Sequence, residues 1–379
     1  MKIVHVIIGL DIGGAELTLK RLIESHRANA NYQHTVISLT NIGKVGLQLQ
    51  AADLEVHALN MRSALGVPHV FWQLVRLIRT ARPDVVQTWM YHADLLGGLA
   101  ARMAGNRNII WGIRTTDVTA GGSRATAAVR QLCAWLSRMV PQTIVCAADA
   151  SRRAHIAVGY DAARMVVVPN GFDLSRLVAT PEQRDALRLQ CGLGAGLVTV
   201  GYVGRFHRAK DQENFVRAAG LAAQKHSNVR FLMVGRDLDA KNTQLTQWIS
   251  ATGCADRFVL LGERADVPVC LAAMDFFCLS SRTEGFPNVV AEAMAMGLPC
   301  VVTDVGDAAM LVADTGVVVP KEDSAALAAG LGQLLEMSPD ARQRLGEAAK
   351  ARIHAEFSMD RARERFESIY QRITRNEPF

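Results

Sequence analysis

Residues Thr283–Pro299 read TEGFPNVVAEAMAMGLP, joining a strand end, a loop and a helix that carries its own start and stop signals. The run Phe276–Leu279 before it is short and apolar, as in a strand buried on both faces, and Ser280–Pro287 is the loop leaving it. Asn288 is placed to cap a helix, Val289–Met296 fills it with apolar and alanine positions, Gly297 suits a left-handed C-terminal residue, and Pro299 stops it. The free N–H groups of the first turn, with the helix dipole behind them, make this mouth a place for an anion such as a diphosphate. Glu284 lies in the loop. Glu292 lies one turn into the helix, where the backward tilt of helical side chains aims its carboxylate at the same mouth. Two carboxylates beside an anion site suit a ligand with many hydroxyls attached to its phosphates. The competing reading is one solvated loop glutamate and one helix-surface glutamate.

Working outward, the 379 residues suffice for two domains, and the composition is globular, with 50% hydrophobic and 21% charged residues. No apolar run approaches the roughly 18 residues needed to span a bilayer. Ile3–Leu10 runs into Asp11, Gly13 and Gly14 and reads as a first strand, not as a signal peptide. The seven cysteines, Cys133, Cys146, Cys191, Cys254, Cys270, Cys278 and Cys300, show no metal-ligand spacing, and reduced thiols in a cytoplasmic protein are expected. Residues 1–180 hold 19 of the 42 basic and 11 of the 36 acidic side chains, a balance of +8 that leaves −2 for the remainder. A basic first half suits an acidic partner such as an anionic membrane surface or a lipid diphosphate, with ordinary surface charge as the competing reading. A basic cluster interleaved with aromatics is lacking, so no nucleic-acid partner is expected.

Strand-like runs alternate with helical patterns through the first half: Ile3–Ile8, His34–Leu39, Val85–Trp89, Ile109–Ile113 and Thr143–Ala147. This alternation predicts a doubly wound parallel sheet. The turn GLDIGGAE, Gly9–Glu16, opens a helix, and Gly13 and Gly14 let backbone approach a ligand, without the G-x-G-x-x-G of dinucleotide sites. QTWMYHADLLGGL, Gln87–Leu99, puts His92 and Asp94 at a strand end and helix start, where open α/β sheets bind ligands. Residues 124–140 read as an amphipathic helix with Val129, Leu132, Leu136 and Met139 on the core stripe, and Arg124, Arg130, Arg138 and Trp135 as an alternative membrane-facing set. Thr115–Ser123 reads as a polar, mobile loop. In the second half Leu197–Gly204, Phe231–Gly235, Arg257–Leu261, Phe276–Leu279, Pro299–Thr303 and Val317–Val319 are strands, and helical patterns run from Asp323 onward. GRFHRAKD, Gly204–Asp211, carries Arg205 and Lys210 on a loop entering a helix, where cations neutralise a diphosphate.

The EGFPN loop with VVAEAMAMGLP behind it, the G-R-x-x-x-x-K pattern at Gly204–Lys210, the Gly13–Gly14 turn and MVVVPNGFD at Met165–Asp173 together resemble the family-four retaining glycosyltransferases. The resemblance covers nearly the full length. It implies the GT-B fold: two Rossmann-like domains facing across a cleft, residues 1–173 and 197–359, with 174–196 as a linker region and a C-terminal helix from about 360 to 379 returning to the first domain. It implies a nucleotide-sugar donor, UDP-linked, held by Gly13, Gly14, Arg205, Lys210, Arg264, Glu284, Phe286, Pro287, Asn288, Val289 and Glu292. Glu284 is implied beside the donor sugar, Glu292 on the ribose hydroxyls, backbone N–H groups near Phe286–Val289 on sugar and phosphate, and the backbone at Arg264 beside the base. Glu284, Arg205 and Lys210 are the implied catalytic set. His92, Asp94 and Arg114 are implied on the acceptor or sugar side. Many relatives have a histidine where Arg114 stands in IIWGIRTTD, and an arginine that stays protonated can orient or neutralise but not act as a base.

The reaction so implied is metal-independent sugar transfer with retention, to a glycan or lipid-diphosphate-linked acceptor of envelope polysaccharide (lipopolysaccharide, O-antigen or capsule) assembly. No cofactor beyond the nucleotide-sugar co-substrate is expected, and the place of action is the cytoplasm or the cytoplasmic face of the inner membrane. A GT-B nucleotide-sugar epimerase and a non-catalytic nucleotide-sugar-binding subunit are the alternatives.

Overall fold

The computed structural model describes residues 1–27, 29–116, 124–375 and 377. The chain divides into two compact units, Met1–Gly171 with Met359–Phe379, and Phe172–Ser358. Each is an α/β unit on one parallel sheet. Of the expected Thr115–Ser123 loop, residues 117–123 lie outside the described residues.

Unit 1 has seven parallel strands: β1 Lys2–Ile7, β2 Gln33–Ser38, β3 Glu55–Ala58, β4 Val85–Trp89, β5 Ile109–Ile113, β6 Thr143–Cys146 and β7 Met165–Val167, in the order β3-β2-β1-β4-β5-β6-β7. The central strands are continuous buried runs because helices cover both faces of the sheet. One face packs on helices Val67–Ala81, Tyr91–Met103 and Arg124–Leu136 through Leu74, Ile78, Ala100 and Cys133. The other packs on helices Gly14–Ser25 and Gly43–Gln50 and on the C-terminal helix Met359–Thr374, whose Phe366, Ile369, Tyr370 and Ile373 complete that core layer. Tyr370 Oη donates to Gln87 Oε1 at 2.5 Å, so the last helix also pairs the buried amide oxygen on β4.

Unit 2 has six parallel strands: β8 Val198–Val203, β9 Val229–Val234, β10 Phe258–Leu260, β11 Phe276–Leu279, β12 Cys300–Thr303 and β13 Gly316–Val319, in the order β10-β9-β8-β11-β12-β13. In each unit the chain moves outward on one side of its first strand and returns on the other. The reversal lies between β1 and β4 in unit 1 and between β8 and β11 in unit 2, and ligands of open α/β sheets bind beyond the carboxyl ends of such strands.

Several expectations are corrected. Residues 174–196 are no free linker: Thr180 makes a capping box with Gln183, Pro181 starts a helix to Gln190, and Arg188 donates to the carbonyls of Ala273 and Leu197 within unit 2. Strand β3 went unread because it is short and half-polar. Asn288 is the first residue of its helix and Pro287 the cap position, with no side-chain cap bond. Gly297 does take a left-handed φ of +81° after that helix. On the helix Arg124–Leu136 the buried stripe is Cys133, Ala134 and Leu136, continued by Val140, while Leu132 and Met139 are exposed.

Three histidines cross unit 1 in a buried chain. Trp89 Nε1 donates to His5 Nδ1 (3.3 Å), which puts the His5 proton on Nε2, facing His34 Nδ1 at 2.9 Å; His34 Nε2 then meets His26 Nδ1 at 3.2 Å. Indole is only a donor, so the tautomers follow from it. Burial lowers the pKa of all three, to about 4 for His26 and about 3 for His34. The unfolded chain takes up these protons near pH 6.5 and the folded chain does not, so this contribution is full above about pH 6.5 and declines as pH falls toward about 4. A His26→Asn variant should therefore gain on the wild type in urea denaturation as pH drops from 6.5 to 5; a constant difference between the two would contradict the buried neutral chain.

Candidate donor and acceptor sites

In unit 2 the two loops that flank the strand reversal carry opposite charges to one point. Strand β8 ends at Val203, and the loop from Gly204 turns through a short helical segment, Arg208–Lys210, into the helix Gln212–Lys225. Asp211 joins them at a left-handed φ of +48°. The loop is tied down from beneath: Gln212 Nε2 donates to the Arg205 carbonyl (2.8 Å) and to Tyr202 Oη (2.9 Å), and Ser280 Oγ lies 3.0 Å from the carbonyls of both Lys210 and Asp211. Lys210 Nζ reaches Glu284 Oε1 at 2.6 Å, and Ser281 Oγ donates to the same oxygen at 2.5 Å. The pair is largely shielded, with Lys210 24% and Glu284 11% exposed. Beside it Arg282 meets both Asp211 carboxylate oxygens along one guanidinium edge, Nε at 2.8 Å and Nη2 at 2.9 Å, and its backbone N–H donates to the Ala209 carbonyl.

Two glycines let neighbouring backbone support these loops. A Cβ on Gly235 (φ +144°) would lie 2.0 Å from the Gly204 carbonyl oxygen, and one on Gly306 (φ +59°) 2.4 Å from that of Gly285. Only glycine tolerates either contact. Phe286 is buried against Phe172 and Phe357, ring centroids 6.1 and 5.6 Å away, and Pro287 is buried beside it. Their side chains anchor the loop and leave only backbone for a ligand. Pro287 has no N–H, so the backbone donors of this turn are those of Phe286, Asn288 and Val289. Asn288 is exposed, with Val289 and Glu292 half-buried on the same helix. Arg205 is exposed on its loop. Arg264, beyond β10, holds Asp266 with two bonds of 2.8 and 2.6 Å, which fixes the backbone of that turn.

In unit 1, Gly13 and Gly14 follow β1 and His92 follows β4, so the predicted residues again flank the reversal. Gly14 has open space where a Cβ would be, but the Glu16 carboxylate folds back against Gly13. Partial burial raises the Glu16 pKa, and Asp11 adds to it. Met90, the cap of the helix Tyr91–Met103, has φ +73°, a strained value for a non-glycine residue that sequence reading had no means to see. Burial holds His92 toward its neutral form.

Asp94 does not join the site. It is fully buried, accepting from Thr88 Oγ1 at 2.5 Å and from the Gly112 N–H at 3.3 Å, so it links β4 and β5 to the helix. Arg114, just past β5, packs over Trp89 (4.8 Å) and Phe366 (5.7 Å) and donates from Nη1 to Asn170 Oδ1 at 3.3 Å. Its Nε and Nη2 have no partner among the described residues. Burial lowers its pKa to about 10, which leaves it a cation at neutral pH.

Residues 12–176 match the family model described as Glycosyltransferase Family 4, and residues 198–337 the model described as Glycosyl transferases group 1. The chain belongs to the family-four glycosyltransferases. It is similar to the lipopolysaccharide core biosynthesis mannosyltransferase LpsB of Rhizobium meliloti, 28% identical over 194 residues that make up 48% of this chain and 54% of that one. It is also similar to an Escherichia coli protein described as UDP-Gal:alpha-D-GlcNAc-diphosphoundecaprenol alpha-1,3-galactosyltransferase, 28% identical over 238 residues, 61% and 60% of the two chains. The chain spans about half the length of the curated relatives it matches. Among solved structures, Anabaena HepE in complex with UDP superimposes with a TM-score of 0.81 over 98% of this chain and 100% of that one at 24% identity, which shows a shared GT-B fold.

For this family-four chain the sequence reading found Lys210 and Glu284 separately and missed their pairing. It gave no role to Ser281 or Arg282 and read Asp211 only as the start of a helix, because polar residues in loops carry no periodic signal. The burial of Asp94 gives a sign-specific test. Its pKa is raised to about 7 by burial, so the wild type loses stability relative to Asp94→Asn as pH rises from about 4 to about 7, and the difference is flat above that. Paired denaturation curves across this interval check it; a difference independent of pH would show Asp94 to be solvated.

Proposed function

We propose that the protein transfers a sugar from a UDP-linked donor, with retention of configuration and without a metal ion, to a glycan or lipid-diphosphate-linked acceptor in envelope polysaccharide assembly. The observation that carries this reading is the Lys210–Glu284 pair at the strand reversal of unit 2, beside the first turn of the helix Asn288–Ala295. A diphosphate entering there takes over Lys210, with Arg205 and the N–H groups of Phe286, Asn288 and Val289 as further donors. Glu284 is thereby released to accept hydroxyl hydrogen bonds from the sugar, and Glu292 those of the ribose. The positive charge concentrated at this loop offsets the charge that develops on the departing diphosphate, the task a divalent cation performs elsewhere.

In the proposed step the bond from the anomeric carbon to the diphosphate oxygen breaks while the acceptor oxygen bonds to the same face. The acceptor proton passes to the leaving oxygen. Retention follows from that single-face geometry. Glu284 and Glu292 both belong to the donor side, so they are not an acid and base pair flanking a scissile bond. In unit 1, Arg114 is a half-buried cation whose Nε and Nη2 are shielded from solvent, with no carboxylate partner among the described residues, a costly arrangement that favours an acceptor bearing phosphate. His92 at the neighbouring strand end is the proposed acceptor-orienting group.

The experiment is to incubate the purified protein with UDP-, GDP- and ADP-sugars and a polyprenyl-diphosphate-linked sugar acceptor, with and without EDTA, and to read the anomeric configuration of the product by NMR. Transfer from a UDP-sugar, unaffected by EDTA and retaining, is expected. Lys210→Ala and Glu284→Gln should each lower turnover by about a hundredfold or more, the scale of losing one charge-stabilising contact in a transition state. An epimerised donor formed without acceptor, or inversion, would overturn the proposal.

A further inference from the structure

Asp211 stands where a helix cap belongs and does not cap. It precedes the helix Gln212–Lys225, a position at which aspartate accepts from the free N–H groups of the first turn, yet its side chain makes no such bond. Its backbone is left-handed at φ +48°, a conformation that costs any residue but glycine, although aspartate tolerates it better than most. The side chain is 2% exposed, so a carboxylate is turned away from both water and its own helix. What it meets is Arg282, on the loop leaving β11: Nη2 donates to Oδ1 at 2.9 Å and Nε lies 2.8 Å from Oδ2. The forgone cap and the strained backbone are offset by one two-point contact to the neighbouring loop.

This contact mirrors the one beside it. The loop after β8 gives the cation Lys210 to the carboxylate of Glu284 on the loop after β11, and the second loop gives the cation Arg282 to the carboxylate of Asp211 on the first. The two pairs answer differently to an incoming diphosphate. Lys210 holds Glu284 through one contact of 2.6 Å, and Glu284 keeps Ser281 Oγ as a second partner, so this pair can open without leaving the carboxylate bare. Opening Arg282 from Asp211 would leave a buried carboxylate without its cation, which is far more costly. Arg282 is also fixed from other sides. Its Nη1 lies 3.4 Å from Glu322 Oε1, its backbone N–H donates to the Ala209 carbonyl at 2.8 Å, and Thr303 Oγ1 of β12 donates to the carbonyl of the preceding residue, Ser281, at 2.7 Å.

We propose that Arg282 and Asp211 are positioning residues of the donor site, a clamp that keeps the two loops in register once a diphosphate has drawn Lys210 away from Glu284. The cation for the diphosphate and the carboxylate for the sugar belong to different loops, so the sugar is presented to its acceptor only while the loops keep their spacing. A displacement of about 1 Å in such a site can cost about a hundredfold in rate. The clamp itself touches neither diphosphate nor sugar, because the guanidinium edge that could do so is committed to Asp211. Its loss therefore falls on turnover. UDP has no sugar to hold in register with its diphosphate, and its binding is largely kept. The inference rests on the donor-site reading proposed above.

The test compares Arg282→Ala with the double variant Arg282→Ala, Asp211→Asn, reading Tm, UDP affinity by calorimetry, and kcat as UDP release from UDP-sugars with a polyprenyl-diphosphate-linked acceptor. Arg282→Ala leaves a buried carboxylate unpaired and should lower Tm and kcat together. In the double variant that charge is gone and asparagine tolerates the left-handed backbone, so Tm should recover. Turnover should not recover: kcat is expected at least about tenfold below the wild type, with UDP affinity within about threefold of it. Arg282→Lys, which keeps the charge but not the two-point contact, should also lower kcat. A double variant that regains wild-type kcat along with its Tm would show that the pair only compensates a buried charge, and would overturn the proposal. So would a loss confined to UDP affinity, which would put Arg282 on the diphosphate. A wild type that binds no UDP would sink the donor-site reading and the clamp with it, whereas wild-type binding with full turnover in the double variant would sink the clamp alone.

Discussion

The ion pair between Lys210 and Glu284 is the constraint on which the second unit's site depends. The two residues come from loops leaving β8 and β11, the strands on either side of the reversal, and only the parallel sheet order brings them together across 74 positions of sequence. The first loop is held by Gln212 and Tyr202, the second by Phe286 packing on Phe172 and Phe357, and Ser280 of the second ties the two together. A shielded cation left alone would be costly, and the carboxylate compensates it. The same arrangement makes the lysine available to a stronger anion and the carboxylate available to hydroxyls.

Unit 1 is organised by polar groups inside its sheet. His5, His34 and His26 extend a chain of hydrogen bonds from Trp89, and Tyr370 of the C-terminal helix donates to the Gln87 amide oxygen. These bonds specify how the last helix seats on a sheet whose apolar residues alone would accept many registers. Arg114 lies between Trp89 of β4 and Phe366 of that helix, so a position carried as a site residue is also a packing residue. Its substitution would report on both roles at once. For this reason the stability of the unit and the orientation of any acceptor are expected to be coupled there.

Much of the fold was legible because buried parallel strands are short continuous apolar runs, as at Val85–Trp89 and Phe276–Leu279, with helical patterns between them. Glu55–Ala58 escaped because an edge strand of four residues with a charged member looks like a loop. The core stripe of the helix 124–136 was read in part: Leu136 and Val129 pack on the core, while Leu132 and Met139 are exposed, because the helix is apolar on more than one side and a period of 3.6 cannot say which positions meet the core. Asp94 was read as a site residue from its place at a strand end; the side chain turns inward because Thr88 and the Gly112 N–H offer it bonds that no sequence pattern encodes. The glycines and charged residues of the Gly204–Asp211 and Thr283–Pro299 stretches were legible from local chemistry. What those residues do to one another required the sheet order.

The most direct measurement of the central claim is the affinity for UDP of the wild type, Lys210→Ala and Glu284→Gln, by titration calorimetry. If Lys210 is the diphosphate's cation and Glu284 its placeholder, Lys210→Ala loses about tenfold or more in affinity, on the scale of a charge-assisted hydrogen bond, and Glu284→Gln binds UDP at least as tightly as the wild type. Equal weakening by both substitutions would mean that the pair is a structural bridge, and unchanged affinity in Lys210→Ala would move the anion site elsewhere.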